Sequence, residues 1–426
     1  MDAKNRYPLD CVGAVLPYTI SKTRPLVFRL MVVLKKKVNP DDLRQAVRDL
    51  APRFPTLYAR LCKGFWWDHL VPASDYDIVV KDDGCPCRPF NVRDKAKPLF
   101  RVLYRENEVG IESTHLTNDG GGATIYLNSL IARYVEIGMG WSYTTSHNVL
   151  HYRDVPQAAE LEDSYRRVYN ETPKTKAKLV SSPGWLYRQK RQRDYLQVTN
   201  VAIPIDAMKA LLKEKYGGCT ITEYLLAVYA CAFFRLPGKG PTKRKPLRLS
   251  VPNDLRSYWG STTMRNFVSS EFIEIVPERQ DAAVDAILAI VRREMKEKMS
   301  KAMQTKFVCQ VVRYLEMPLI KILPGFVKRA VLSVAYLFSA LVWQHVSTLS
   351  NVGYVKLPPA LAAQIESYHA IMGEGDVNRI YCAAAGINNV MSVAFSAVNQ
   401  NSVIQDFCVD FFRKDGLPVE VTVRDR

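Results

Sequence analysis

Apolar residues recur along this chain in two rhythms, and their alternation predicts its architecture. PLVFRLMVVLKKKV, from Pro25 to Val38, is a near-continuous apolar run closed by lysines and reads as a strand. NPDDLRQAVRDLAPRF follows directly and reads as a helix. Asn39 can cap it, Pro40 suits its first turn, and Asp41 and Asp42 complement its dipole. Leu43, Ala46, Val47 and Leu50 then repeat at helical spacing and give one apolar face. PLFRVLYRENEVGIESTH predicts two strands joined by a polar turn at Glu106 to Glu108. Alternation puts Val109, Ile111, Ser113 and His115 on one face of the second strand. Three glycines come next, then a helix carrying Ala123, Leu127, Leu130, Ile131 and Tyr134.

From residue 152 to about 195 the rhythm is lost. NETPKTKAKLVSSPGWLYRQKRQRD is polar, strongly basic and punctuated by Pro173, Pro183 and Gly184, and it reads as a crossover between halves. Regular patterning resumes with a strand in YLQVTNVAIP and a helix in AMKALLKEKY, which Asp206 can cap and Gly217 and Gly218 can stop. TITEYLLAVYACAFF sets Thr220 and Glu223 at capping-box spacing ahead of an apolar helix. A basic loop, PGKGPTKRKP, leads into the strand LRLSVPNDLR. STLSNVGYVKLPP, strands in RIYCAAAGINNVMSVAFSA and a helix in VIQDFCVDFFRKDG complete the chain. Strand and helix alternate in both halves, so the expected class is α/β (α+β) with two domains. A chain of 426 residues is too long for one ordinary core, which agrees.

Composition leaves that picture intact, and charge adds to it. At 48% hydrophobic and 24% charged the chain is globular. Fifty-nine Lys and Arg against 42 Asp and Glu give +17, an excess that suits an anionic partner such as a phosphorylated cofactor, an acidic carrier protein or anionic lipid. A basic surface without a partner explains the balance as well. Nucleic acid is not expected, because zinc-finger spacing, an RNP motif and a continuous basic arm are all missing. The nine cysteines sit mostly in apolar surroundings, and Cys85 and Cys87 are too close for ordinary disulfide geometry. Reduced thiols and a cytoplasmic location are the expectation. The first residues hold no apolar signal-peptide stretch. The longest apolar run, Ala330 to Trp343, is too short to span a bilayer and reads as a buried helix or an interfacial or acyl-chain-lining one, so peripheral membrane contact stays open.

The candidate chemistry lies in ESTHLTNDGGG, residues 112 to 122. A neutral imidazole where strand gives way to loop can take a proton from a hydroxyl, amine or thiol near neutrality, so His115 is a candidate general base. Asp119 can cap the following helix or hold the loop by pairing with a cation. Gly120 to Gly122 would let backbone approach closely or take positive φ. The bland alternative is a tight turn that happens to carry a histidine. His147 and His151 stand four apart but lack the glutamate of H-E-x-x-H and a third ligand, so no metal is expected.

Strand, HLTNDGG and helix together resemble the H-x-x-x-D-G segment of the chloramphenicol-acetyltransferase-like superfamily. That group includes BAHD acyltransferases, alcohol acetyltransferases, wax-ester synthases and condensation domains. NPDDLRQAVRDLAPRFPTLYARL is similar to its early helix and R-x-P, and TNVAIPIDAMKALLKEKYGGCTITEYLLAVYACAF to its mid-chain strand, helix and helix. SVPNDLR with MRNFVS resembles the segment that opens the C-terminal core, and TLSNVGYVKLP the late S-N-x-G turn. The resemblance implies two similar domains of mixed sheet flanked by helices, with the active site in the cleft between them. It divides the chain into an N-terminal subdomain at 1–170, a basic crossover at 171–198 and a C-terminal subdomain at 199–426. It also implies direct transfer, with His115 as base, Asp119 as a structural brace paired with Arg256, Gly120 in the motif, and Ser350 and Asn351 beside the oxyanion.

The resemblance is closest to alcohol-acetyltransferase-like or stand-alone condensation-like proteins. Thr114 stands where condensation domains carry a second histidine, which leans away from peptide-bond synthesis. The D-F-G-W-G loop of plant BAHD enzymes is missing. The leading expectation is an acyltransferase without a metal that moves an acyl group from a coenzyme A thioester to an alcohol or amine. One alternative uses phosphopantetheine on an acidic acyl carrier protein, docking on the basic stretches Lys174 to Arg193 or Lys239 to Lys245. Another is a non-catalytic binding protein on the same fold. A monomer without a transmembrane segment is expected in each case.

Overall fold

The computed structural model describes residues 6–424 apart from 22–23, 147, 176–182, 188–189, 191, 193–194, 239, 277–281, 343, 374 and 376–378, and the backbone alone at 337–342. Two mixed sheets flanked by helices form the α/β architecture expected from the patterning. In the first, the strand order is Ile365–Met372, Val27–Leu34, Glu108–Thr114, Phe100–Arg105 and Val79–Lys81. Only the edge pair of Val79–Lys81 with Phe100–Arg105 is parallel. Helices Pro40–Leu50 and Gly120–Met139 lie on this sheet. The stripe Leu43, Ala46, Val47 and Leu50 is buried there against Tyr126, Leu127, Leu130 and Ile131. Each large aliphatic side chain buried this way contributes about 1.5–3 kcal/mol. Asn39 caps the first helix by accepting from the Asp41 amide at 3.0 Å.

The second sheet has seven strands, ordered Val268–Ile275, Leu247–Asp254, Ser347–Tyr354, Ile380–Ile387, Val390–Ala397, Gln197–Pro204 and Glu420–Arg424. Helix Ile221–Phe234 is almost wholly buried on it, which is why its sequence is apolar on every face. The capping box of Thr220 and Glu223 is present. Gly217 and Gly218 both take positive φ after helix Ile205–Lys215. Asp206 does not cap that helix: Pro204 holds the cap position, and Asp206 lies in the first turn accepting from the Ala207 amide.

Strand Ile365–Met372 comes from the C-terminal half yet pairs with Val27–Leu34 in the first sheet, Tyr368 opposite Val32. The two sheets are stitched at that point, and Val27, Ile371, Val198 and Ala394 share one buried cluster. All nine cysteines are free thiols, with Cys62 and Cys85 partly exposed. The apolar run from Ala330 falls in helix Gly325–Val342. Within its described part, Val331 and Val334 are exposed.

Candidate active site

Glu108–Thr114 is the middle strand of the five-stranded sheet, hydrogen-bonded on both sides, so its end is a fixed point. His115 lies one residue beyond the strand rather than on its face with Val109, Ile111 and Ser113, in a turn closed by the Thr117 amide donating to the Thr114 carbonyl at 3.1 Å. The next element starts at once: Asp119 is the N-cap of Gly120–Met139 and accepts from the Gly122 amide at 3.0 Å. Phe28 from the neighbouring strand packs on the imidazole with ring centres 5.0 Å apart.

The glycines do different things. A Cβ on Gly122 would come within 2.2 Å of the Met264 carbonyl oxygen, and one on Gly121 within 2.8 Å of an Arg256 nitrogen. Gly120 has open space where a Cβ would sit. None of the three has a positive φ, so close approach at Gly121 and Gly122, rather than left-handed backbone, is what needs glycine there.

Asp119 has both of the roles its sequence position left open. Besides capping, it takes a bidentate pair from Arg256, Nη1 to Oδ2 at 3.0 Å and Nη2 to Oδ1 at 2.8 Å, and accepts from the Phe267 amide at 2.7 Å. Burial would push its carboxyl up. The Arg256 charge and hydrogen bonds, with the two amides, hold it below the ordinary carboxylate range. Arg256 has all five N–H groups engaged, the others reaching Asp254, the Thr263 carbonyl and the Arg265 carbonyl. This knot ties residues 137 apart in sequence and seats the segment 263–267 against the histidine turn.

That segment delivers Asn266, which the sequence pattern did not mark as a site residue. Its amide nitrogen donates to Asp10 Oδ2 at 2.9 Å and to the His115 carbonyl at 2.8 Å. Both acceptors fix the amide's orientation and leave Oδ1 facing His115 Nδ1 at 3.2 Å. An acceptor there requires the proton on Nδ1, which leaves the Nε2 lone pair unprotonated. Burial lowers the His115 pKa from 6.5, against opposing pulls from Asn266 and the Asp119 charge. The imidazole is therefore neutral at pH 7. Asp10 is fully buried, also accepts from the Gly13 amide, and is pushed up to about 6 by burial and the nearby Asp163, with Arg265 opposing.

His115, Asp119 and Arg256 are thus brought together. Ser350 and Asn351 have no hydrogen bond to them among the described residues. Asn351 donates to Thr222 Oγ1 at 2.9 Å and accepts from the Gly353 amide at 2.8 Å, which is a turn role. Ser350 is half-buried on strand Ser347–Tyr354 with its hydroxyl unengaged among the described residues. His147 lies outside the described residues. His151 packs between Tyr143 and Tyr152 with its ring tilted to both, and accepts from the Arg153 amide. No group of three or more metal-ligating side chains occurs among the described residues.

No family model and no curated protein matches the sequence. Solved structures do match in fold over nearly the whole chain. Polyketide synthase associated protein 5 from Mycobacterium tuberculosis superposes with a TM-score of 0.62 at 15% identity, covering 96% of this chain and 98% of that one. Trichothecene 15-O-acetyltransferase from Fusarium sporotrichioides gives 0.61 at 8% identity, covering 96% of each chain. The starter condensation domain of rhizomide synthetase, a mutant in complex with C8-CoA and Leu-SNAC, gives 0.60 at 11% identity over 97% of this chain and 94% of that one. The chain has the chloramphenicol-acetyltransferase-like fold of these acetyltransferase and condensation-domain structures.

Proposed function

We propose that the protein is an acyltransferase that moves an acyl group from a coenzyme A thioester to an alcohol or amine, with His115 as the general base. The observation that carries this reading is the Asn266 contact, which holds a neutral imidazole in the tautomer with a free Nε2 at the end of a rigid strand. In the proposed step the acceptor's proton passes to Nε2 while its oxygen or nitrogen bonds to the thioester carbonyl carbon. The tetrahedral oxyanion collapses, the carbon–sulfur bond breaks, and the leaving thiolate takes the proton from His115. Asp119 and Arg256 position the turn and exchange no proton. Gly120 heads the helix behind the base. Ser350 is proposed as an oxyanion donor on the strength of its unengaged hydroxyl, whereas Asn351 is already committed to Thr222 and Gly353.

Coenzyme A as donor is supported by the C8-CoA complex on the same fold and by the chain's positive charge. A carrier-borne phosphopantetheine thioester is the second reading, favoured by the likeness to polyketide synthase associated protein 5 and by the basic stretches beginning at Lys174 and ending at Lys245. Arg193 and Lys239 of those stretches lie outside the described residues. The division at 1–170, 171–198 and 199–426, a monomeric state and a cytoplasmic location belong to the same proposal. The test is a panel of acyl-CoA and holo carrier-protein thioesters offered to mixed alcohols and amines, with products read by mass spectrometry at low and high salt. Product from acyl-CoA is expected; transfer only from carrier protein, suppressed by salt, selects the second reading. No product from any donor refutes both.

A further inference from the structure

We infer that the face built by helix Pro318–Ile322, the start of helix Gly325–Val342 and the loop at Phe65 and Trp66 is a docking surface for anionic phospholipid bilayers. Among the described residues, the four most exposed large apolar side chains apart from Val155 gather there, with Trp66 beside them. Phe326 is 74% exposed, Ile322 and Phe65 66%, Leu319 63% and Trp66 49%. The loop and the helices are contiguous: the Gly325 amide donates to the Phe65 carbonyl at 2.7 Å, and Lys328 Nζ donates to the Trp66 carbonyl at 2.8 Å.

The helix from Gly325 is oriented against the usual rule for a surface helix. Its protein-facing side is anchored by polar groups: Lys328 on Trp66, Arg329 on the Pro17 carbonyl and Ser333 on the Tyr18 carbonyl. Phe326, Val331 and Val334 point to solvent instead. Burial of that apolar face requires an occupant outside the fold.

Charge selects the occupant. On these helices Lys321 and Arg329 are exposed while Lys328 is buried, and the single acid between residues 301 and 342, Glu316, is already paired with Arg166 and Lys321. Lys63 adds an exposed cation beside Phe65. Protruding aliphatic and aromatic side chains, a tryptophan among them, flanked by the exposed cations Lys63, Lys321 and Arg329 match the headgroup boundary of an anionic leaflet. Each Lys or Arg near such a surface strengthens binding about fivefold. The proposed contact is superficial, and no helix among the described residues is long and apolar enough to cross a membrane. The inference does not depend on acyl transfer and is tested without any substrate.

The experiment is co-sedimentation of the full chain with vesicles of phosphatidylcholine alone or mixed with phosphatidylglycerol, followed also by tryptophan emission. Binding to the anionic vesicles, little to neutral ones, and a blue shift lost in Trp66→Phe are expected. Ile322→Asp/Phe326→Asp should weaken partitioning at least about tenfold, and Lys63→Ala about fivefold. Both variants should keep the wild-type melting temperature. Should the double variant fail to fold, Lys63→Ala and a salt titration of the wild type carry the test. Absence of binding to anionic vesicles, or binding unchanged in the folded variants, overturns the proposal. So does a wild-type dimer that Ile322→Asp/Phe326→Asp dissociates, since a second copy would then be the occupant.

Discussion

Removing the Arg256 guanidinium isolates the one interaction on which the geometry around His115 most depends. In Arg256→Met, Asp119 keeps only the Gly122 and Phe267 amides as donors, in a site where its side chain is 3% exposed. Breaking a buried pair by deleting one partner costs about 3–5 kcal/mol, because a charge is left without compensation. Asp119→Asn should cost less, about 1–3 kcal/mol. An asparagine can still accept the cap bond, and Arg256 keeps Asp254 and two carbonyls. The cost of the double variant should fall short of the sum of the two single costs by at least about 1 kcal/mol. Urea unfolding near neutral pH, with unchanged m-values, gives these numbers.

The pH dependence supplies an independent sign. In the wild type the Asp119 pKa is held below 3.8, so its contribution is intact above the unfolded value and is lost only in stronger acid. Without Arg256, burial dominates and the folded pKa rises above the unfolded one. The variant's deficit is then largest at neutral pH and shrinks as pH falls toward 3.8. A cost below about 1 kcal/mol for Arg256→Met, additive single costs, or a deficit that does not shrink in acid would refute the assignment of Asp119 and Arg256 as the brace.

Gly122→Ala should destabilise by more than about 2 kcal/mol, since its Cβ meets the Met264 carbonyl at 2.2 Å; Gly120→Ala, with open space, should be neutral or stabilise by about 0.5–1 kcal/mol in thermal unfolding. Asn266→Ala frees the imidazole, and turnover should drop at least about tenfold with KM little changed. The same variant removes a bond that raises the His115 pKa, so the acid limb of the rate profile should move to lower pH. Asp10 has a folded pKa raised from 3.8 to about 6, so its contribution to stability is lost as pH rises through that window. Asp10→Asn should flatten the stability profile there.

Local patterning made a large part of this legible. The stripe Leu43, Ala46, Val47 and Leu50, the cap at Asn39 and the capping box at Thr220 all follow from rules that act within a few residues. The strand ending at Thr114 and the helix opening at Gly120 were legible for the same reason, and they bracket His115 and Asp119. Asp10 and Asn266 were not, because their meaning comes from a contact spanning 256 residues with no periodic signature. The joining of Ile365–Met372 to the first sheet is likewise a choice of pairing partner, which alternation within one strand cannot specify. The apolar run in helix Gly325–Val342 left a buried and an interfacial helix both open, because an apolar run identifies what avoids water, not what covers it.

The pH–rate profile of kcat/KM for wild type and His115→Ala tests most directly whether His115 is the base. With a competent thioester and acceptor, wild-type activity should rise through a limb with an apparent pKa below 6.5, as burial of the imidazole dictates. His115→Ala should lose about 10²–10⁴-fold in turnover, and that limb with it. Equal turnover in the variant, or the same limb with the histidine gone, would contradict the account.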